Sequence, residues 1–93
     1  MIGVVAKLKV QAGKEAEFEK HAKALVQQVN KLENGCALYE LFKSGDEYVF
    51  MEMYADKAAL DAHGKTKYFG EAMGILKPLL AAAPDIQSYQ RVG

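Results

Sequence analysis

Few residues of this chain have side chains suited to chemistry, and most of them fall between positions 52 and 69. Glu52 and Tyr54 end an apolar run, His63 closes a short alanine-rich segment, and Tyr68-Phe69 follow a Gly64-Lys65-Thr66-Lys67 link. His63 is one of two histidines, and an imidazole is the side chain best poised to move protons near neutral pH. A histidine in a last helical turn before a glycine is also what the helix dipole favours without any catalytic role. Glu52 shares a strand face with Tyr48, Phe50 and Tyr54. A carboxylate there either points into a pocket, where burial raises its pKa, or lies in water near a sheet edge. Tyr39, Tyr54, Tyr68 and Phe69 can wall a small aromatic pocket, with hydroxyls to orient a bound oxygen function; the same spacing also serves plain core. The chemistry on offer is proton transfer.

Other chemistries lack their residues. There is no H-E-x-x-H, no paired cysteine, no glycine-rich phosphate loop and no nucleophile elbow. Two distant histidines and one cysteine make no recognisable metal set, so no metal, haem or nucleotide cofactor is expected. His21 reads as a surface residue and Arg91 as a solvated charge on the last strand. Twelve basic and twelve acidic residues cancel and are interspersed, which leaves no field to gather nucleic acid or anionic lipid. Cys36, alone, fits a reducing compartment. The apolar run at the N-terminus breaks at Lys7, too short for a signal-peptide core or a bilayer span. The expectation is a cytoplasmic protein.

The elements that must hold these residues follow from periodicity. Ninety-three residues make a single domain, 1–93, with a thin core of its own. Residues 2–10 alternate as a strand. Glu15 and Glu17 open a helix whose stripe runs Phe18, Ala22, Leu25, Val29, Leu32, and Asn34-Gly35 ends it, with the glycine available for a left-handed cap. Cys36–Lys43 and Glu47–Tyr54 read as strands joined at Ser44-Gly45-Asp46-Glu47, which sets Tyr39 opposite Glu52 and Leu41 opposite Phe50. Asp56 caps a helix over 57–63 with Gly64 as its stop, and Thr66 caps the next, whose face carries Phe69, Ala72, Met73, Leu76 and Leu80. Pro78 ends or kinks that helix, and Ile86–Val92 is a last strand. The order is β-α-β-β-α-β, an α+β, ferredoxin-like split βαβ with a four-stranded antiparallel sheet. The second face of the hairpin, with Leu38, Phe42, Val49, Met51 and Met53, is apolar too, so a second copy of the chain is expected to cover it.

The Glu52-Met53-Tyr54 strand end, the Ala62-His63 helix end and the Thr66-Lys67-Tyr68-Phe69 start resemble the antibiotic biosynthesis monooxygenase family. Gly13-Lys14 with Phe18, and Asn34-Gly35-Cys36, are similar too. The resemblance implies a dimeric α+β barrel made by pairing two ferredoxin-like sheets. Its haem-degrading members use a tryptophan and a first-strand asparagine, and this chain has no tryptophan and no asparagine there. Some cofactor-free polyketide-tailoring members use a similar pair, also missing here. Members that oxidise quinols or process a quorum signal carry a histidine at the place of His63. The resemblance therefore implies a monooxygenase without cofactor, taking a phenol or hydroquinone and O2. His63 would be the base or the phenolate's hydrogen-bond partner, and Glu52 would orient it or stabilise its protonated form. Tyr39, Tyr54, Tyr68 and Phe69 would be walls. An acid–base isomerase of a small hydroxy-ketone and a non-catalytic binding dimer are the alternatives.

Overall fold

The computed structural model describes all 93 residues. Strand β1 (Ile2–Lys9) leads through helix α1 (Glu15–Leu32) to the hairpin β2 (Cys36–Ser44) and β3 (Glu47–Tyr54). Helices α2 (Lys57–Gly64) and α3 (Lys67–Leu76) follow, then a single 3-10 turn (Lys77–Leu79) and strand β4 (Asp85–Gln90). The four antiparallel strands stand in the order β2-β3-β1-β4, the ferredoxin-like arrangement that the element order predicts.

The hairpin register is the expected one: Tyr39 faces Glu52 and Leu41 faces Phe50. Gly45 supplies the left-handed residue of the turn, with φ of 61°. Alternation along the strands then sends Val4, Ala6, Leu8, Tyr39, Tyr48, Phe50, Glu52 and Tyr54 to one face, where all are buried. Against that face α1 lays Phe18, Ala22, Leu25 and Val29, and α3 brings Leu76. Asp56 and Thr66 cap as expected, accepting from the Ala59 and Phe69 amides at 2.9 and 3.3 Å. Pro78 falls in the 3-10 turn that closes α3, because its missing N–H cannot carry the helix on. The Gln11 amide group then ties that turn to the end of β1, donating to the carbonyls of Pro78 and Leu80 at 3.0 and 3.1 Å.

Four expectations need correction. Leu32 does not complete the α1 stripe; it is 57% exposed, and Glu33, just past the helix, turns inward instead. Gly35 is not a left-handed cap, since only Gly13 and Gly45 have positive φ. Its use is steric: a Cβ there would lie 2.7 Å from that of Ala59 on α2. Gly64 is the last residue of α2 rather than a stop beyond it. The last strand is shorter than read, and Arg91 lies past its end.

The opposite sheet face carries no helix. Phe42, Met51 and Tyr89 are each 41–55% exposed on it. No helix is long and apolar enough to cross a membrane.

Candidate active site

Two neighbouring elements bring the chemistry together. Glu52 lies on β3, a strand flanked by β2 on one side and β1 on the other, so its side chain has no sheet edge to escape past. It is 8% exposed. Of the two readings open for this carboxylate, the pocket is the one observed. Burial raises its pKa to about 7, helped by the negative Glu33 and opposed by the Tyr54 hydroxyl, which donates to Oε1 at 2.6 Å. Tyr54 sits two residues on, on the same face, as the strand repeat requires.

Helix α2 carries Leu60 and His63 three residues apart, hence on one side, and that side meets the sheet. His63 is 4% exposed. Three rings surround its imidazole, Phe69, Tyr39 and Tyr54, with centroids 4.6, 5.1 and 5.4 Å away. The end of α2 is pinned by Thr66, whose hydroxyl donates to the His63 carbonyl at 2.9 Å.

Glu52 makes its hydrogen bond with Tyr54 and none with His63. The carboxylate on His63 is Glu33, whose two oxygens lie 3.0 and 2.9 Å from Nδ1. The Tyr68 hydroxyl donates to the same carboxylate. Burial, then the bond to Glu33, pushes the Tyr68 phenol up to about 12, so it stays a donor. Sequence reasoning missed Glu33, which reads there as one more polar residue at a helix end.

Between the sheet and helices α2 and α3 lies a cavity of about 200 Å³. Tyr39, Glu52, His63 and Phe69 line it together; Val4, Ala6, Phe50, Leu60 and Met73 make it predominantly apolar. Ile86 of β4 closes one side and is itself 63% exposed. No lysine or arginine reaches the lining. Tyr54 and Tyr68 stand behind this wall rather than in it: Tyr54 supports Glu52 and His63, while Tyr68 lines an outer groove with Glu33 and Cys36. His63 borders both spaces.

Three polar groups on residues that line the cavity have no partner within the protein: Nε2 of His63, Oε2 of Glu52 and the Tyr39 hydroxyl. None of the three is sealed from contact, since no fully buried side-chain polar atom lacks a partner. Burial, and the charges of Glu52 and Glu33, raise the Tyr39 pKa, which keeps its phenol protonated and able to donate. An unpartnered imidazole nitrogen, a carboxyl group whose pKa burial raises to about 7 and a phenolic donor thus belong to residues that line one small apolar space. That set can take a proton from a bound hydroxyl and hold the oxygen left behind. No group of three or more histidine, cysteine or acidic residues is placed to hold a metal.

The comparisons with known proteins agree with this architecture. The model of the family described as antibiotic biosynthesis monooxygenase matches residues 1–74. YcnE of Bacillus subtilis, provisionally named a monooxygenase, is 38% identical over 89 residues, which are 92% of this chain and 93% of that protein. A crystal structure from Caulobacter crescentus CB15, provisionally assigned to the same family, superimposes with a TM-score of 0.96 at 43% identity and covers 99% of this chain and 90% of its own. A conserved protein of Methanosarcina mazei Go1 superimposes with a TM-score of 0.92 at 28% identity over 98% of this chain and 92% of its own. The fold, the family model over most of the chain and these likenesses together make this chain a member of the antibiotic biosynthesis monooxygenase family.

Proposed function

We propose that this protein is a monooxygenase that works without a bound cofactor on a neutral phenol or hydroquinone. The observation that carries the reading is the convergence of His63, Glu52 and Tyr39 on a cavity whose lining is otherwise predominantly apolar, with no lysine or arginine in it. A cavity of about 200 Å³ suits a substituted ring, since one of roughly 150 Å³ admits benzene. Nε2 of His63 takes the phenolic proton, and the Tyr39 hydroxyl donates to the oxygen that becomes negative. Protonated Glu52 adds a second donor. The apolar wall leaves water few partners beside the bound ring, and the electron-rich anion meets O2 there. For a hydroquinone, one oxygen atom enters the ring and the other leaves as water, all four electrons coming from the substrate, which ends as a hydroxyquinone.

A second copy of the chain, covering the bare sheet face, completes the proposed assembly, with the cytoplasm as its compartment.

The test is oxygen uptake by the purified protein against a panel of quinols and phenols, with no flavin or metal added. His63→Ala, with its fold confirmed, is expected to lose at least about a hundredfold in turnover, the scale of acid–base catalysis. A loss of only a few-fold would remove His63 as the base. Product formed under strict anaerobiosis would point to isomerisation instead.

A further inference from the structure

His63 stands in the partition between two spaces, the inner cavity and an outer groove lined by Glu33, Cys36 and Tyr68. Its two nitrogens therefore have different company. Nδ1 meets both oxygens of Glu33, at 3.0 and 2.9 Å, while Nε2 has no protein partner. A neutral imidazole carries one proton, and which nitrogen holds it is set by the hydrogen bond made at the other end. Glu33 already accepts from the Tyr68 hydroxyl, and a carboxylate has no proton to offer Nδ1. The proton of the pair must come from the histidine.

We infer that Glu33 is a positioning residue that fixes His63 as the Nδ1–H tautomer, leaving Nε2 as the acceptor that faces the cavity. Glu33 is well placed to hold this state. Its side chain is 12% exposed and fixed from two sides, and it belongs to the segment that ends α1, an element otherwise packed into the core. With the opposite tautomer, Nδ1 would present a lone pair to the carboxylate and Nε2 would offer the cavity a donor. A base would then become a group with no room for the substrate's proton. The same carboxylate stabilises the imidazolium that forms after proton transfer and stands at the groove through which that proton can leave. The tautomer is that of the neutral imidazole held against the Glu33 carboxylate; its catalytic consequence rests on the base proposed for His63.

The direct test is nitrogen NMR of the histidine-labelled protein with His63 in its neutral form, where protonated and unprotonated ring nitrogens resonate far apart. The expected wild-type spectrum shows Nδ1 protonated and Nε2 bare. Glu33→Ala and Glu33→Met, two truncations of different bulk, are expected to lose that preference, and kcat on a quinol should fall roughly ten- to a hundredfold with KM little changed. In the His63→Ala background, removing Glu33 should cost nothing further. A wild-type Nε2–H signature overturns the inference, and this reading needs neither variant to fold. An unchanged tautomer in a folded Glu33 variant overturns it as well, as does an unchanged kcat where the tautomer is lost. The Nδ1–H signature in a protein that takes up no oxygen with any quinol would support this inference and defeat the proposed function.

Discussion

Two carboxylates near one histidine do different work here, and only one of them could be found without coordinates. Glu52 is conspicuous in the sequence because an acid interrupts an aromatic strand face. Glu33 is not, because the apolar stripe of α1 continues with equal geometric ease to position 32 or 33, and the leucine at 32 is the natural choice. The chain turns the acid inward because His63 and Tyr68, some thirty residues later, offer it hydrogen bonds. Nothing local signals that. Glu52 carries a cost that can be measured. Its pKa rises from an ordinary 4.5 to about 7 on folding, so between those values the folded state binds more protons than the unfolded. Stability from this group is therefore present below about pH 4.5 and falls as pH rises to about 7, on the order of 3 kcal/mol in all. Glu52→Gln keeps an acceptor for Tyr54 and has no charge to bury. Urea unfolding across this range should show the variant gaining on the wild type up to about pH 7 and holding a constant advantage above it. A difference that does not vary with pH would mean that Glu52 is not desolvated as described.

At the scale of elements the sequence was far more legible. Period-two and period-3.6 patterns, two capping side chains and a glycine turn specify β1, α1, the hairpin, α2 and α3 to within a residue or two. What they do not specify is how closely α2 approaches the loop before β2. Gly35 permits that approach, lying against Ala59, while its carbonyl accepts the Ala55 amide at 2.8 Å. Gly35→Ala would set two methyl groups 2.7 Å apart, so that α2 or the loop must shift. The expected loss is about 1–3 kcal/mol in urea unfolding, the usual range for overpacking. Because α2 carries His63, activity should fall as well. Ala59→Gly in the same chain should restore most of both. Failure of that second substitution to rescue would show that position 35 needs glycine for some reason other than room.

For the whole molecule, the element order was enough to give the sheet order, because a split βαβ unit leaves few right-handed ways to pair its strands. The cavity was not legible, since its volume depends on how far α2 and α3 stand from the sheet, which no pattern encodes. The sheet has one helix-covered face and one bare face, on which Phe42, Met51 and Tyr89 are exposed. If two copies meet there, folding and association become one equilibrium, and mass action enters the melting temperature. Calorimetry over a hundredfold range of protein concentration should find Tm rising by a few degrees with each tenfold step. Phe42→Glu, placed on the bare face away from the cavity, should flatten that dependence and lower Tm at every concentration. A wild-type Tm indifferent to concentration would mean that one copy is stable alone. With the expected slope, dilution itself would act on the protein: below a threshold concentration the chain would lose its fold, and the concentration at which it is stored would set its working lifetime.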